Sequence, residues 1–114
     1  MAKGRERHQA RIDAINLLGK DLARRARRKC ELCESGGELR PFDTAPDDEP
    51  SLDTLVLLCN RCRGLAEGGT APAAELRFLE VAIWSEVPPI ASTAKRVIAN
   101  VDADWARAAL EMIS

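Results

Sequence analysis

The sequence predicts an α+β, mostly helical fold assembled around one small metal-binding finger, and three observations carry that expectation. All four cysteines fall into two Cys-x-x-Cys pairs, Cys30/Cys33 and Cys59/Cys62, with 25 residues between the pairs. The segment between them holds two short stretches of strand character, 38–42 and 54–58, the second β-branched and apolar and running straight into Cys59. Helical periodicity occupies most of the remainder, over 10–28 and 73–113.

The residues between paired cysteines form a tight knuckle whose sulfurs converge on one side. Two such knuckles complete a tetrahedral Zn2+ site with bonds of about 2.3 Å and no open position. One structural zinc held by Cys30, Cys33, Cys59 and Cys62 is therefore expected, with the site spanning 29–64. Two short disulfides or a redox pair would use the same residues, but the flanks lack a thioredoxin-like βαβ pattern.

In order along the chain, residues 1–9 are polar and read as a flexible tail. A single domain over 10–114 follows. In its first helix Ile12, Ile15, Leu18, Leu22 and Ala26 share one arc, which must pack on the rest of the domain. Lys20, Arg24, Arg27 and Arg28 fall on the other side as an outward basic ridge, with Arg25 and Lys29 at its edges. Gly36 and Gly37 mark a turn after the first knuckle. The acidic segment 43–53 holds Pro46 and Pro50 and reads as an exposed loop. A knuckle, a hairpin and a helix that donates the last two ligands make up the treble-clef arrangement. After a break at 67–72, two or three helices follow: 73–84, with Leu76, Leu79, Ala82 and Ile83 inward; 89–101, opened by Pro88-Pro89; and 103–113, with Asp102 as N-cap and Ala106, Leu110 and Ile113 inward. Trp84 and Trp105 are both expected in the core.

At 114 residues, with 46% apolar and 31% charged residues, the chain has the composition of a globular domain. No apolar run approaches the ~20 residues of a membrane span. The basic N-terminus lacks the apolar block of a secretory signal, so a reducing, cytoplasmic location is expected, where paired cysteines hold metal more often than disulfides. The net charge of −1 hides a polarity: residues 1–29 carry +7 and residues 30–114 carry −8. Such a split invites an anionic partner at one end or self-association.

The basic ridge is the candidate binding surface. Its positions suit weak, sequence-independent contact with nucleic-acid phosphates, but equally a protein partner, or compensation of the −2 charge of a four-thiolate zinc, shared with Arg61 and Arg63. With two Phe, two Trp and no Tyr, base stacking has little to draw on. Enzymatic readings have less support. An HNH-like nuclease needs a histidine on the hairpin, and the only histidine is His8, in the polar tail. Asp43, Asp47, Asp48, Glu49 and Asp53 form no Asp-x-Asp-x-Asp-Gly loop and read as a solvated acidic loop, not a cation site.

With these motifs in place, the chain resembles the N-terminal zinc domain of the bacterial PhnA proteins (alkylphosphonate utilisation operon protein). The resemblance rests on Lys29-Cys30-Glu31-Leu32-Cys33, Leu57-Leu58-Cys59-Asn60-Arg61-Cys62 and, above all, Ile83-Trp84-Ser85-Glu86-Val87-Pro88, and it covers about residues 24–112. It implies the same four cysteine ligands; longer members carry a second, β-rich domain after this one. The function expected is a non-enzymatic zinc-binding module. The alternative is a metal-dependent enzyme or degenerate HNH-like nuclease acting on phosphonate or phosphodiester substrates.

Overall fold

Residues 2–113 are described by a computed structural model, with side-chain environments described from Arg7 onward. Five α-helices and one hairpin follow in the order α1 (Ala2–Ala26), β1 (Leu39–Asp43), β2 (Leu55–Cys59), α2 (Asn60–Ala66), α3 (Leu79–Ala82), α4 (Pro88–Ile98) and α5 (Asp104–Ile113), with a 3-10 turn, Ala73–Leu76, before α3. The fold is α+β and mainly helical, as expected.

β2 is the centre of the packing. All five of its residues are buried, and successive side chains point to opposite faces. Val56 and Leu58 join the main core with Leu65, Leu79, Val97, Ile98 and Ala106. Leu55 and Leu57 face the other way and pack with Leu22, Ile15, Leu18 and Ala26 of α1. A strand covered on both faces must be apolar throughout, which is why Leu-Val-Leu-Leu-Cys lacks alternation. The hairpin is antiparallel with Pro41 opposite Leu57. The hydrogen bond from Thr44 N–H to the Thr54 carbonyl sets the alternation, so Pro41 sits at a non-hydrogen-bonded pair where no donor is required.

α1 starts eight residues earlier than the sequence pattern predicts, at Ala2. Residues 2–9 lack an inward stripe, so periodicity is silent there. They also lack proline and β-branched residues, so nothing stops the helix. Met1, from the same expected tail, lies outside the described residues. The helix also ends earlier than expected, at Ala26. Arg28 N–H bonds the Ala23 carbonyl and Arg27 N–H the Arg24 carbonyl, which is the Schellman pattern. Arg27 and Arg28 have φ of 57° and 59°, in the left-handed region that glycine usually fills. The double reversal turns the chain back toward the knuckle within three residues.

The expected helix over 73–84 is broken into the 3-10 turn and the single turn of α3. Its expected inward residues Leu76, Leu79, Ala82 and Ile83 are all buried; the three-residue steps from Leu76 to Ala82 suit the 3-10 turn that opens the segment. The same period puts Phe78, Val81 and Trp84 on a second line. Val81 is 77% exposed and Trp84 55%, so Trp84 is not in the core as its flanking residues led one to expect. Trp105 is half-buried against the core, with the Arg77 guanidinium 5.1 Å from its ring. α4 ends at Ile98, earlier than expected. α5 starts at Asp104, and Asp102 does not cap it: its exposed carboxylate accepts from Arg107. Ala106 is fully buried in α5, and Leu110 and Ile113 are half-buried against the core.

Candidate metal centre

The four cysteines come from three places: Cys30 and Cys33 from the knuckle after α1, Cys59 from the end of β2, and Cys62 from the first turn of α2. β2 runs into α2 without a loop, so Cys59 is both the last strand residue and the helix N-cap, its sulfur accepting from Cys62 N–H at 3.5 Å. The knuckle closes through Glu34 N–H to the Cys30 carbonyl and Cys30 N–H to the Ser35 carbonyl. Glu34 takes φ of 64° to make that turn.

All four sulfurs lie within 4.8 Å of one another, with Cys33 and Cys59 3.7 Å apart. Tetrahedral sulfur at bonds of about 2.3 Å requires separations of about 3.8 Å. The cysteines are free, and 3.7 Å is well beyond the ~2.05 Å of a disulfide. Cys30, Cys59 and Cys62 are buried and Cys33 is half-buried. The cluster can hold one metal ion, enclosed by protein.

The thiols cannot all ionise unaided. Cys30 is lowered to about 4, first because the Cys62 thiol donates to its sulfur. Cys62 is pushed up by that same donation, then by burial and by the charge on Cys30. Burial raises Cys33. The Cys30 thiolate forms readily while Cys33 and Cys62 hold their protons more tightly, so a bound cation is what makes their joint ionisation favourable. The Arg63 Nε, one residue after Cys62, is buried with no hydrogen-bond partner, a placement that fits compensation of an anionic four-thiolate centre. Arg61 is turned to other partners: Glu75 at 3.9 Å and the Phe78 ring.

Glu31, inside the knuckle, ties the centre to both neighbouring elements. Its N–H donates to the Leu57 carbonyl, and its carboxylate accepts from Leu57 N–H. The edge of β2 that faces away from β1 is thereby satisfied. The same carboxylate, 2% exposed, takes two hydrogen bonds from Arg25 of α1. Arg25 also donates to the carbonyls of Leu52 and Leu55. It is therefore not at the edge of the outward ridge but inside the joint between α1, knuckle and hairpin. Seven residues after Leu18 and three after Leu22, it borders the packed face of the helix, but the carbonyls that recruit it come from 27 and 30 residues downstream.

Lys20, Arg24, Arg27 and Arg28 are all exposed and, with Ala23, line one open concavity of about 460 Å³. Arg24 lies 4.0 Å from Asp21; Lys20, Arg27 and Arg28 have no acidic partner among the described residues. His8 is exposed on α1. Asp43 is engaged by the Arg11 guanidinium, which also donates to the carbonyls of Ala45 and Asp48. The carboxylate of the acidic loop nearest the hairpin thus serves as an anchor for α1. No helix of the described residues is long and apolar enough to cross a membrane. No family model matches the chain, and no curated protein or solved structure matches it.

Proposed function

We propose that this chain is a zinc-stabilised binding module of the PhnA-like type, a treble-clef finger whose metal is structural and whose α1 presents a basic face to nucleic-acid phosphates. The observation that carries the reading is the juxtaposition at the end of α1. The helix is anchored to the cysteine cluster through Arg25 and Glu31, while Lys20, Arg24, Arg27 and Arg28 line a single hollow on its outer side. Zinc is the ion favoured by four thiolates in tetrahedral spacing. The order of knuckle, hairpin and helix supports the treble clef, and free thiols suit a reducing cytoplasm. A hydrolytic reading has less to stand on, since His8 lies on α1 and Asp43 is held by Arg11.

The test is elemental analysis of the purified chain together with titration of a 20-base-pair duplex at two salt concentrations. One zinc per chain is expected. Four neutralised phosphates give a log–log salt slope of about −3.6, with micromolar or weaker affinity at physiological salt. Changing Arg24 and Arg28 together to Glu removes the binding. Another metal, no metal, or duplex binding indifferent to that double variant overturns the reading.

A further inference from the structure

The basic hollow is one end of a longer surface. Arg27 belongs both to that hollow and to a second, smaller one between the end of α1 and the knuckle, where Lys29, Glu34 and Ile90 are its other main walls. Glu31, Glu34 and Ile90 in turn belong to a third, mostly apolar groove along Phe78, Val81 and Trp84. Because neighbouring concavities share these residues, they lie in sequence from the basic hollow past the knuckle to an exposed indole.

From this arrangement we infer that the nucleic acid held by this surface is single-stranded, with phosphates at Lys20, Arg24, Arg27 and Arg28 and an unpaired base on Trp84. The inference rests on the polyanion reading above and adds the ligand's form and a second contact site. Proteins that bind single strands combine cations that follow the backbone with aromatic rings on which bases stack. A duplex offers its phosphates equally well but keeps its bases paired and out of reach of the ring. Trp84 is the only aromatic side chain more than half exposed among the described residues, and Val81 and Phe78 extend the apolar floor beside it. The middle of the surface is not basic throughout: Glu34 is an exposed carboxylate with no cationic partner among the described residues. A base passing there is tolerated, whereas a phosphate is repelled, so removing this charge should favour the strand.

The experiment measures fluorescence anisotropy of labelled dT12 and of a labelled 12-base-pair duplex at low salt. The protein is the zinc-loaded chain and its variants, each checked for metal content and helical signal. The wild type should bind dT12 more tightly than the duplex. Trp84→Ala should weaken dT12 binding about tenfold and leave the duplex unchanged, while Trp84→Phe keeps most of the affinity. Glu34→Gln should strengthen dT12 binding. The salt slope should fall with Arg24→Glu alone or Arg28→Glu alone but stay the same with Trp84→Ala, since stacking releases no counterions. Equal affinity for dT12 and duplex, with Trp84→Ala silent, overturns the inference and leaves the polyanion reading standing. Failure of both probes to bind at low salt overturns both and assigns the Trp84 groove to a protein partner.

Discussion

At the scale of single residues, the junction between α1 and the knuckle carries two opposed features, conformational cost and buried polar gain. Arg27 and Arg28 sit in the left-handed region, which costs an L-residue with a Cβ roughly 1–2 kcal/mol each. Glycine there would relieve the strain but lose about 0.4–1 kcal/mol to the greater freedom of the unfolded chain. Arg27→Gly should therefore stabilise the metal-loaded protein by about 0.5–1 kcal/mol, read from the urea midpoint, and at the same time weaken any polyanion binding. A variant that gained no stability would show that the Arg27 side chain makes up for its own strain. Glu31 works in the opposite direction. Its carboxylate accepts three hydrogen bonds, two from Arg25 and one from Leu57 N–H. Glu31→Ala leaves a mostly buried guanidinium and a strand edge without their acceptor, at a cost of about 3 kcal/mol, the lower end of the range because Arg25 keeps some access to water. Thermal or urea unfolding of the metal-loaded protein measures it.

Among the elements, α1 differs from the others in how it is held. Its N-terminal turns are polar, and its apolar contact with the hairpin is made by the stripe Ile15, Leu18, Leu22 and Ala26. Arg11 to Asp43 and Arg25 to Glu31 act as polar clamps toward either end of that stripe. Leu22 is fully buried between them. Leu22→Ala should destabilise the protein by about 3 kcal/mol. Hydrogen exchange should then quicken along α1 before it does in α4, because α4 packs in the separate core on the other face of β2. Uniform acceleration across both helices would mean that the two faces of β2 do not open independently.

For the whole molecule, the metal centre is not an appendage. Cys30, Cys59 and Cys62 are themselves members of the main core, beside Leu58, Leu65, Leu79 and Ile98. Structural zinc contributes on the order of 10 kcal/mol in small zinc peptides, comparable to the full stability of a domain this size. Chelation should therefore abolish helical signal from α4 and α5 as well as from the finger, in one transition followed by circular dichroism. A chelated protein that kept its helical signal would show that the helices fold without the centre. The pH dependence follows the same linkage. Thiolates bound to a dication titrate below free thiols, near 8.5, so the folded-state values are depressed and the stability is lost as pH falls. Cys33 and Cys62 hold their protons unless metal displaces them. With at least two protons released per ion, apparent zinc affinity should drop by about a hundredfold for each pH unit of acidification in the neutral range. A competition titration at pH 7 and pH 6 measures it.

The sequence by itself determined the elements whose evidence is local. Cys-x-x-Cys spacing announces convergent sulfurs, the run 54–58 announces a buried strand, and the stripe on α1 announces a helix with one packed face. Those signals need only neighbours in the chain. The tertiary structure decided everything that depends on partners far away. Arg25 lies at the edge of the basic ridge in the sequence, but only the carbonyls of Leu52 and Leu55 and the carboxylate of Glu31 draw it inward. Trp84 stands among apolar residues in the chain, yet the three-residue period of Leu76, Leu79 and Ala82 rotates it out of the core. The sequence already pointed Leu76, Leu79 and Ala82 inward, and they are buried; what it left to packing is that the segment breaks into a 3-10 turn and one helical turn, with Val81 and Trp84 on a separate, exposed line. The helix start at Ala2 was hidden for the converse reason: a polar segment has no face to bury, so periodicity cannot report it, although apart from Gly4 no residue in it disfavours a helix strongly.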